Sequence, residues 1–201
     1  MRTFSQNAPR APRLLSLWTL LAFSLLSWLG AAPAQAETPA AYMQRVANEL
    51  IAASRSGGGS ATAFATTIRS NADVPSIGLS ALGNYAASLP KTDRPAYFNG
   101  MVNWIARYAA KESPKYPVAK AIMVGQSSES ASGATVDSRV TLKDGSVYDV
   151  RWRLVKRGSV YKVREAEIIG FEMTSFLNTL FQNYISENGG NPKALVVALN
   201  R

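Results

Sequence analysis

The periodicity of the chain predicts an α+β fold: helices first, then a curved four-stranded antiparallel sheet, then helices again. Three observations carry this expectation. Apolar residues recur at helical spacing from Ala40 to about Glu112. After Pro114 and Pro117 the period switches to two. Helical spacing returns beyond Gly170.

The elements follow in order. Met43, Val46, Ala47, Leu50 and Ile51 mark one face of a first helix, which the glycines at 57–59 end. A short second helix carries Phe64 and Ile68. Asn71-Ala72-Asp73-Val74-Pro75 turns into a third, where Pro75 suits a first-turn position and Ile77, Ala81, Leu82 and Tyr85 face inward. Thr92 or Asp93 caps a long helix to Glu112 that places Phe98, Met101, Val102, Ile105 and Tyr108 on one side.

Val118 to Val124 reads as a first strand and Ser127 to Gly133 as a polar connection. Val136, Val140 and Leu142 then alternate with polar neighbours, and Lys143-Asp144-Gly145-Ser146 is a hairpin signal. The clearest strand puts Tyr148, Val150, Trp152 and Leu154 on one face and Asp149, Arg151 and Arg153 on the other. Tyr161 and Val163 continue the pattern, but Ala166 and Ile168 fall out of phase. A β-bulge near Arg164-Glu165 repairs the phase and bends the sheet. Phe171 to Tyr184 reads as a helix with Phe176, Leu177, Leu180, Phe181 and Tyr184 inward, stopped by Asn188-Gly189-Gly190. Pro192 to Leu199 is a last short helix.

The first 36 residues read as a secretory signal peptide. Arg2, Arg10 and Arg13 lead, an apolar run from Leu14 to Leu29 follows, and Ala34-Gln35-Ala36 is a small-residue cleavage site. The run is short for a bilayer span, which needs roughly 20 residues, so cleavage is expected over an uncleaved anchor. Residues 37–201 then form one domain with a net charge of +6, against +9 for the whole chain. The cations are scattered; with export, that argues against nucleic acid and leaves anionic lipid or a membrane surface as partners of a basic protein.

Two absences narrow the chemistry. With no cysteine there is neither a disulfide scaffold, a thiol nucleophile nor a lipoprotein acylation site. With no histidine the commonest general base and nearly all zinc sites are gone. Ser88-Leu89-Pro90-Lys91 matches the S-x-x-K box, but no S-D-N or K-T-G follows. Glu165 and Glu167 near the bulge are a candidate general base; salt bridges to Arg151 and Arg153 explain them as well.

Several segments together resemble a known family. Ser70 to Gly83 resembles the MlaC (toluene-tolerance) family's Asp-containing turn and the Leu-Gly-ended helix after it. The long helix with Phe98, Ile105, Tyr108 and Ala109 resembles that family's Phe-rich helix ending in Tyr-Ala. Val147 to Leu154, then Tyr161 to Gly170, resembles its last hairpin, and Asn188-Gly189-Gly190 its glycine-containing C-terminus. Tyr161 stands where the family often has Trp, Glu172 where Ser is usual and Asn178 where Arg is usual, which marks a divergent member.

The resemblance implies a periplasmic carrier, not an enzyme, with no cofactor. It implies an apolar cavity between sheet and helices for the tails of a phospholipid or similar lipid. It implies exchange with an inner-membrane ABC transporter complex and an outer-membrane lipid-transfer complex. The expected lining is Tyr148, Val150, Trp152 and Leu154 from the sheet, with Ile77, Leu82, Tyr85, Phe98, Val102, Ile105, Phe171, Met173 and Phe176 from the helices. An ordinary filled core would show the same stripes. A small α+β enzyme and a structural envelope protein are the alternative readings. A carboxylate in the cavity would favour the enzyme.

Overall fold

Local chemistry sets each boundary in turn. The computed structural model describes residues 37–56 and 59–201; the expected signal peptide lies outside them. Helix α1, Pro39–Arg55, starts where the Thr38 hydroxyl accepts from the Ala41 N–H (3.2 Å), with Pro39 at a position that needs no donor. Helix α2, Ala61–Asn71, is capped likewise by Ser60. Helix α3, Val74–Leu82, and helix α4, Arg94–Glu112, each carry Asp at the N-cap position, and neither Asp side chain makes a capping hydrogen bond. Asp73 is instead committed to Arg157, which also donates to the Ser76 hydroxyl (3.0 Å). Burial, the largest influence on Asp73, raises its pKa. The hydrogen bonds from Ser76 and Arg157 and the Arg157 charge together outweigh it and hold the carboxyl below its usual value.

The sheet has five strands in chain order, all antiparallel: β1 Val118–Glu129, β2 Gly133–Leu142, β3 Val147–Arg157, β4 Val160–Ile168 and β5 Phe171–Glu172. The fold class is the expected α+β, with two differences in detail. The serine-rich run after Val124 continues as strand, because Ser128 and Glu129 find ladder partners in Thr135 and Ala134. Phe171 and Glu172, expected to open a helix, pair with Ile168 and Glu167 as a fifth strand, so helix α5 spans Met173–Glu187.

Two irregularities bend the sheet. Arg153 pairs with Glu165 and Leu154 with Val163, leaving Arg164 as the extra residue of a bulge where the phase change placed one. In β1 the register slips between Val124 and Ser128, where Gly125 takes a φ of 69°. The outer face carries cross-strand ion pairs, Arg139–Asp149 (3.0 Å), Arg151–Asp137 (2.8 Å) and Arg153–Glu167 (2.9 Å).

Helices cover the other face. The edge strand β1 is closed by α1: the Gln44 amide donates to the Ala121 carbonyl (2.9 Å), and the Arg55 guanidinium donates to the carbonyls of Val118 and Ala119. The largest core cluster joins α3, α4, α5 and helix α6, Pro192–Leu199, around Leu82, Tyr97, Met101 and Phe181. In α5 the buried positions are Leu177, Phe181 and Ile185; Phe176 and Leu180, expected inward, are exposed because the helix touches its neighbours along a narrower stripe. Among the described residues no helix is long and apolar enough to cross a membrane.

Candidate functional site

Helix α1 does not lie on the sheet evenly. Its first half presses Tyr42, Met43 and Val46 onto Val136, Leu154 and Tyr161 in a closed cluster. There the Tyr42 hydroxyl donates to the Asn71 carbonyl (2.9 Å), and burial pushes its pKa up to about 12. The second half carries Ala47, Leu50 and Ile51 over a stretch of sheet where Ala121 and Ser138 are too small to meet them. A hollow of about 600 Å³ is left, walled further by Val118, Val140, Leu142, Tyr148, Val150, Trp152 and Ile168, with Tyr116 at its rim. Small residues facing small residues cannot fill the space between two backbones, so the wall loses its packing partners there.

No ionisable carboxylate, lysine or arginine lines this hollow. Its buried polar atoms are satisfied within the wall: the Trp152 indole N–H donates to the Ser138 hydroxyl (2.9 Å), which donates to the Val150 carbonyl (3.4 Å). The Trp152 ring therefore offers apolar surface with its one donor already used. Such a space can hold hydrocarbon by burial and dispersion. Its hydroxyls are those of Ser138, engaged with Trp152 and Val150, and of Tyr116 and Tyr148.

A second, more open depression of about 770 Å³ lies beside it, lined by Tyr108 of α4 and by Phe171, Met173 and Phe176. The β4–β5 turn stands between the two. Ile168 faces the inner hollow, while Glu167, Gly170 and Phe171 face the open one.

The residues expected to line one cavity thus fall in several places. Tyr148, Val150 and Trp152 meet at the inner hollow. Leu154 sits in the closed cluster under the first half of α1. Ile77, Leu82, Tyr85, Phe98 and Ile105 belong to the helical cluster, away from the sheet. Val102 is buried against Ala53, Phe64, Ala65 and Ala106, because α2 rather than the sheet packs on that side of α4. Phe171, Met173 and Phe176 line the open depression. Ala47, Leu50, Ile51, Tyr116, Val118, Ala121, Ser138, Val140, Leu142 and Ile168 line the hollow without having been expected to. The α1 stripe and the alternation at Val140 and Leu142 pointed to some of them.

The catalytic candidates have structural partners. Glu165 is buried, and its Oε1 accepts from the backbone N–H groups of Ala166 and Thr174 (3.0 Å each), tying the bulge to the start of α5. Glu167 pairs with Arg153. The Ser88 hydroxyl donates to the Tyr85 carbonyl (3.0 Å) on an exposed turn. Among the described residues no group of three or more acidic side chains is placed to hold a metal.

Comparison with known proteins adds two findings. Residues 41–201 match the model of the family described as MlaC protein. Among solved structures the fold is similar to that of the phospholipid-binding protein from Ralstonia solanacearum, solved in complex with a phospholipid. The TM-score is 0.66 at 18% identity, over 80% of this chain and 94% of that one. No curated protein sequence matches.

Proposed function

The chain belongs to the MlaC family, and on that footing we propose that it is a periplasmic lipid carrier whose inner hollow takes the acyl chains of a phospholipid or a related lipid. It is exported by its N-terminal signal peptide. It moves its cargo between an inner-membrane ABC transporter complex and an outer-membrane lipid-transfer complex, and it catalyses no reaction.

The observation that carries this reading is a hollow walled by apolar side chains whose only buried polar groups already bond to one another. Taking a methylene as roughly the volume of a liquid water, about 30 Å³, the space holds on the order of 20 methylenes. At about 0.8 kcal/mol per methylene, one 16-carbon chain gains roughly 13 kcal/mol over water. A bilayer offers the same chain a similar amount, so cargo can be exchanged in either direction without a chemical step. The phospholipid bound by the Ralstonia solanacearum protein supports the same class of cargo.

The test is mass spectrometry of the organic extract of the exported protein, with its N-terminus sequenced in parallel. A stoichiometric phospholipid or related lipid and a terminus at Glu37 are expected. An extract without lipid from folded protein contradicts the carrier reading.

A further inference from the structure

The β4–β5 turn is an unusual thing to leave on a surface. Its two central residues, Ile169 and Gly170, have φ of 52° and 81°, the left-handed pair of a tight hairpin turn. A β-branched side chain is strained there, and asparagine is the ordinary occupant. Ile169 is also 63% exposed and Phe171 77% exposed, with Met173 and Phe176 exposed behind them. The acidic groups beside this tip are paired: Arg153 bridges Glu167 (2.9 Å) and Glu172 (2.6 Å), offsetting one of their two charges, and Asp137 and Asp149 pair with Arg151 and Arg139.

The opposite bank of the mouth is basic. Tyr108 and Tyr116, both exposed, line the open depression and the inner hollow respectively. Lys111 lies one turn beyond Tyr108 on the same side of α4, and Lys115 precedes Tyr116. The Lys143 backbone N–H donates to the Pro117 carbonyl (2.8 Å), which brings that lysine to the same rim, and Lys120, paired with Thr141, stands at the outer face of the same end of β1. All four lysines are exposed. Nearby acids are Glu112, which pairs with Lys115 (2.8 Å), and Asp144, whose carboxylate accepts from the Ser146 N–H.

We propose that this mouth is a docking surface for an anionic phospholipid bilayer: the Ile169–Phe171 tip enters the acyl region while the lysine bank rests on the headgroups. Ile168, next to the apolar tip, and Tyr116, next to Lys115, both line the inner hollow, so a chain leaving the bilayer between tip and lysines has a short path into the protein. The proposal rests on the carrier reading for its purpose but is tested separately from it.

The experiment uses the exported form from cells expressing the full chain, with its N-terminus checked so that no apolar leader contributes. Its binding is measured by co-sedimentation with vesicles of 30% phosphatidylglycerol in phosphatidylethanolamine and with vesicles of phosphatidylcholine alone. Three proteins are compared: the native chain, Ile169→Asn with Phe171→Ser, and Lys111→Gln with Lys120→Gln and Lys143→Gln. The native chain is expected to bind the anionic vesicles and to weaken with salt. Removing the tip should weaken binding at least tenfold on both vesicle types. Removing three charges should weaken it on the order of a hundredfold on anionic vesicles, roughly fivefold per charge, and little on neutral ones. Neither variant should lower the thermal midpoint, which separates lost docking from lost folding.

The docking proposal is overturned if lipid-loaded native protein fails to sediment with anionic vesicles, or if either variant binds anionic vesicles like the native chain. Vesicle binding by a protein that carries no extractable lipid would overturn the carrier reading and leave the docking surface standing.

Discussion

Two regions of this molecule bury apolar side chains to opposite ends. Between α3, α4, α5 and α6, large rings meet rings: Tyr97 lies 6.3 Å from Phe181 edge-on, and Trp104 lies 5.9 Å from Phe181 in the same manner. The Tyr97 hydroxyl donates to the Gly78 carbonyl (2.8 Å), and burial raises its pKa. Between the second half of α1 and the sheet, Ala47, Ala121 and Ser138 stand where large residues would close the gap. The composition of each wall is apolar; pairing of size across the gap decides whether a core fills or a hollow remains.

Truncation separates the two regions most sharply. Phe181→Ala should cost about 3–5 kcal/mol, since a ring contacting two others leaves a cavity that the helices cannot collapse. Val140→Ala, at the wall of an existing hollow, should cost under about 1 kcal/mol. Urea midpoints of the delipidated proteins measure both, and equal losses would erase the distinction between the two regions.

Overfilling gives the next effect, with opposite outcomes at two valines. Val102→Trp should destabilise by about 1–3 kcal/mol or more, because Val102 is buried among Phe64, Ala65 and Ala106. Val140→Trp should leave the delipidated protein's midpoint nearly unchanged while the lipid-to-protein ratio falls. Retained lipid in Val140→Trp would move the cargo elsewhere.

Asp73→Asn should cost about 1 kcal/mol at neutral pH, since Arg157 is largely exposed and solvent screens the pair. Its folded pKa lies below the ordinary Asp value of 3.8, so the contribution is present above that value and lost as pH falls through the folded pKa. The acid limb of a stability–pH curve should therefore be shallower in Asp73→Asn. A parallel limb would assign the acid sensitivity to other carboxylates. The smallest expected effect is a gain: Ile169→Asn relieves a strained φ of 52° and should raise stability by about 1 kcal/mol.

Much of the fold was legible in the sequence, because period and punctuation are local. The phase slip at Ala166 located the Arg164 bulge, and the alternation from Tyr148 to Leu154 separated a wet face from a dry one. The hollow was half legible. Tyr148, Val150 and Trp152 follow from strand alternation. The opposing wall was sought on α4 and lies on α1, because which helix covers which strand depends on pairing between residues 63 to 77 apart in the chain. Gln44 and Arg55 fix that choice through hydrogen bonds to backbone carbonyls of β1, which leave no pattern in the sequence. Nor does Ser138 announce itself: a small polar residue inside a strand looks like any other until Trp152 is seen to bond to it.

The two regions each hold one tryptophan in residues 37–201, and this permits a direct test. Trp152 walls the hollow; Trp104 packs between Phe181 and Tyr108 in the helical cluster. Variants with Trp104→Phe or Trp152→Phe, loaded with a phospholipid brominated along its acyl chains, would report contact through fluorescence quenching. Acyl chains in the α1–sheet hollow predict strong quenching of Trp152 and little of Trp104. Bound brominated lipid that leaves Trp152 bright, with or without quenching of Trp104, would contradict it.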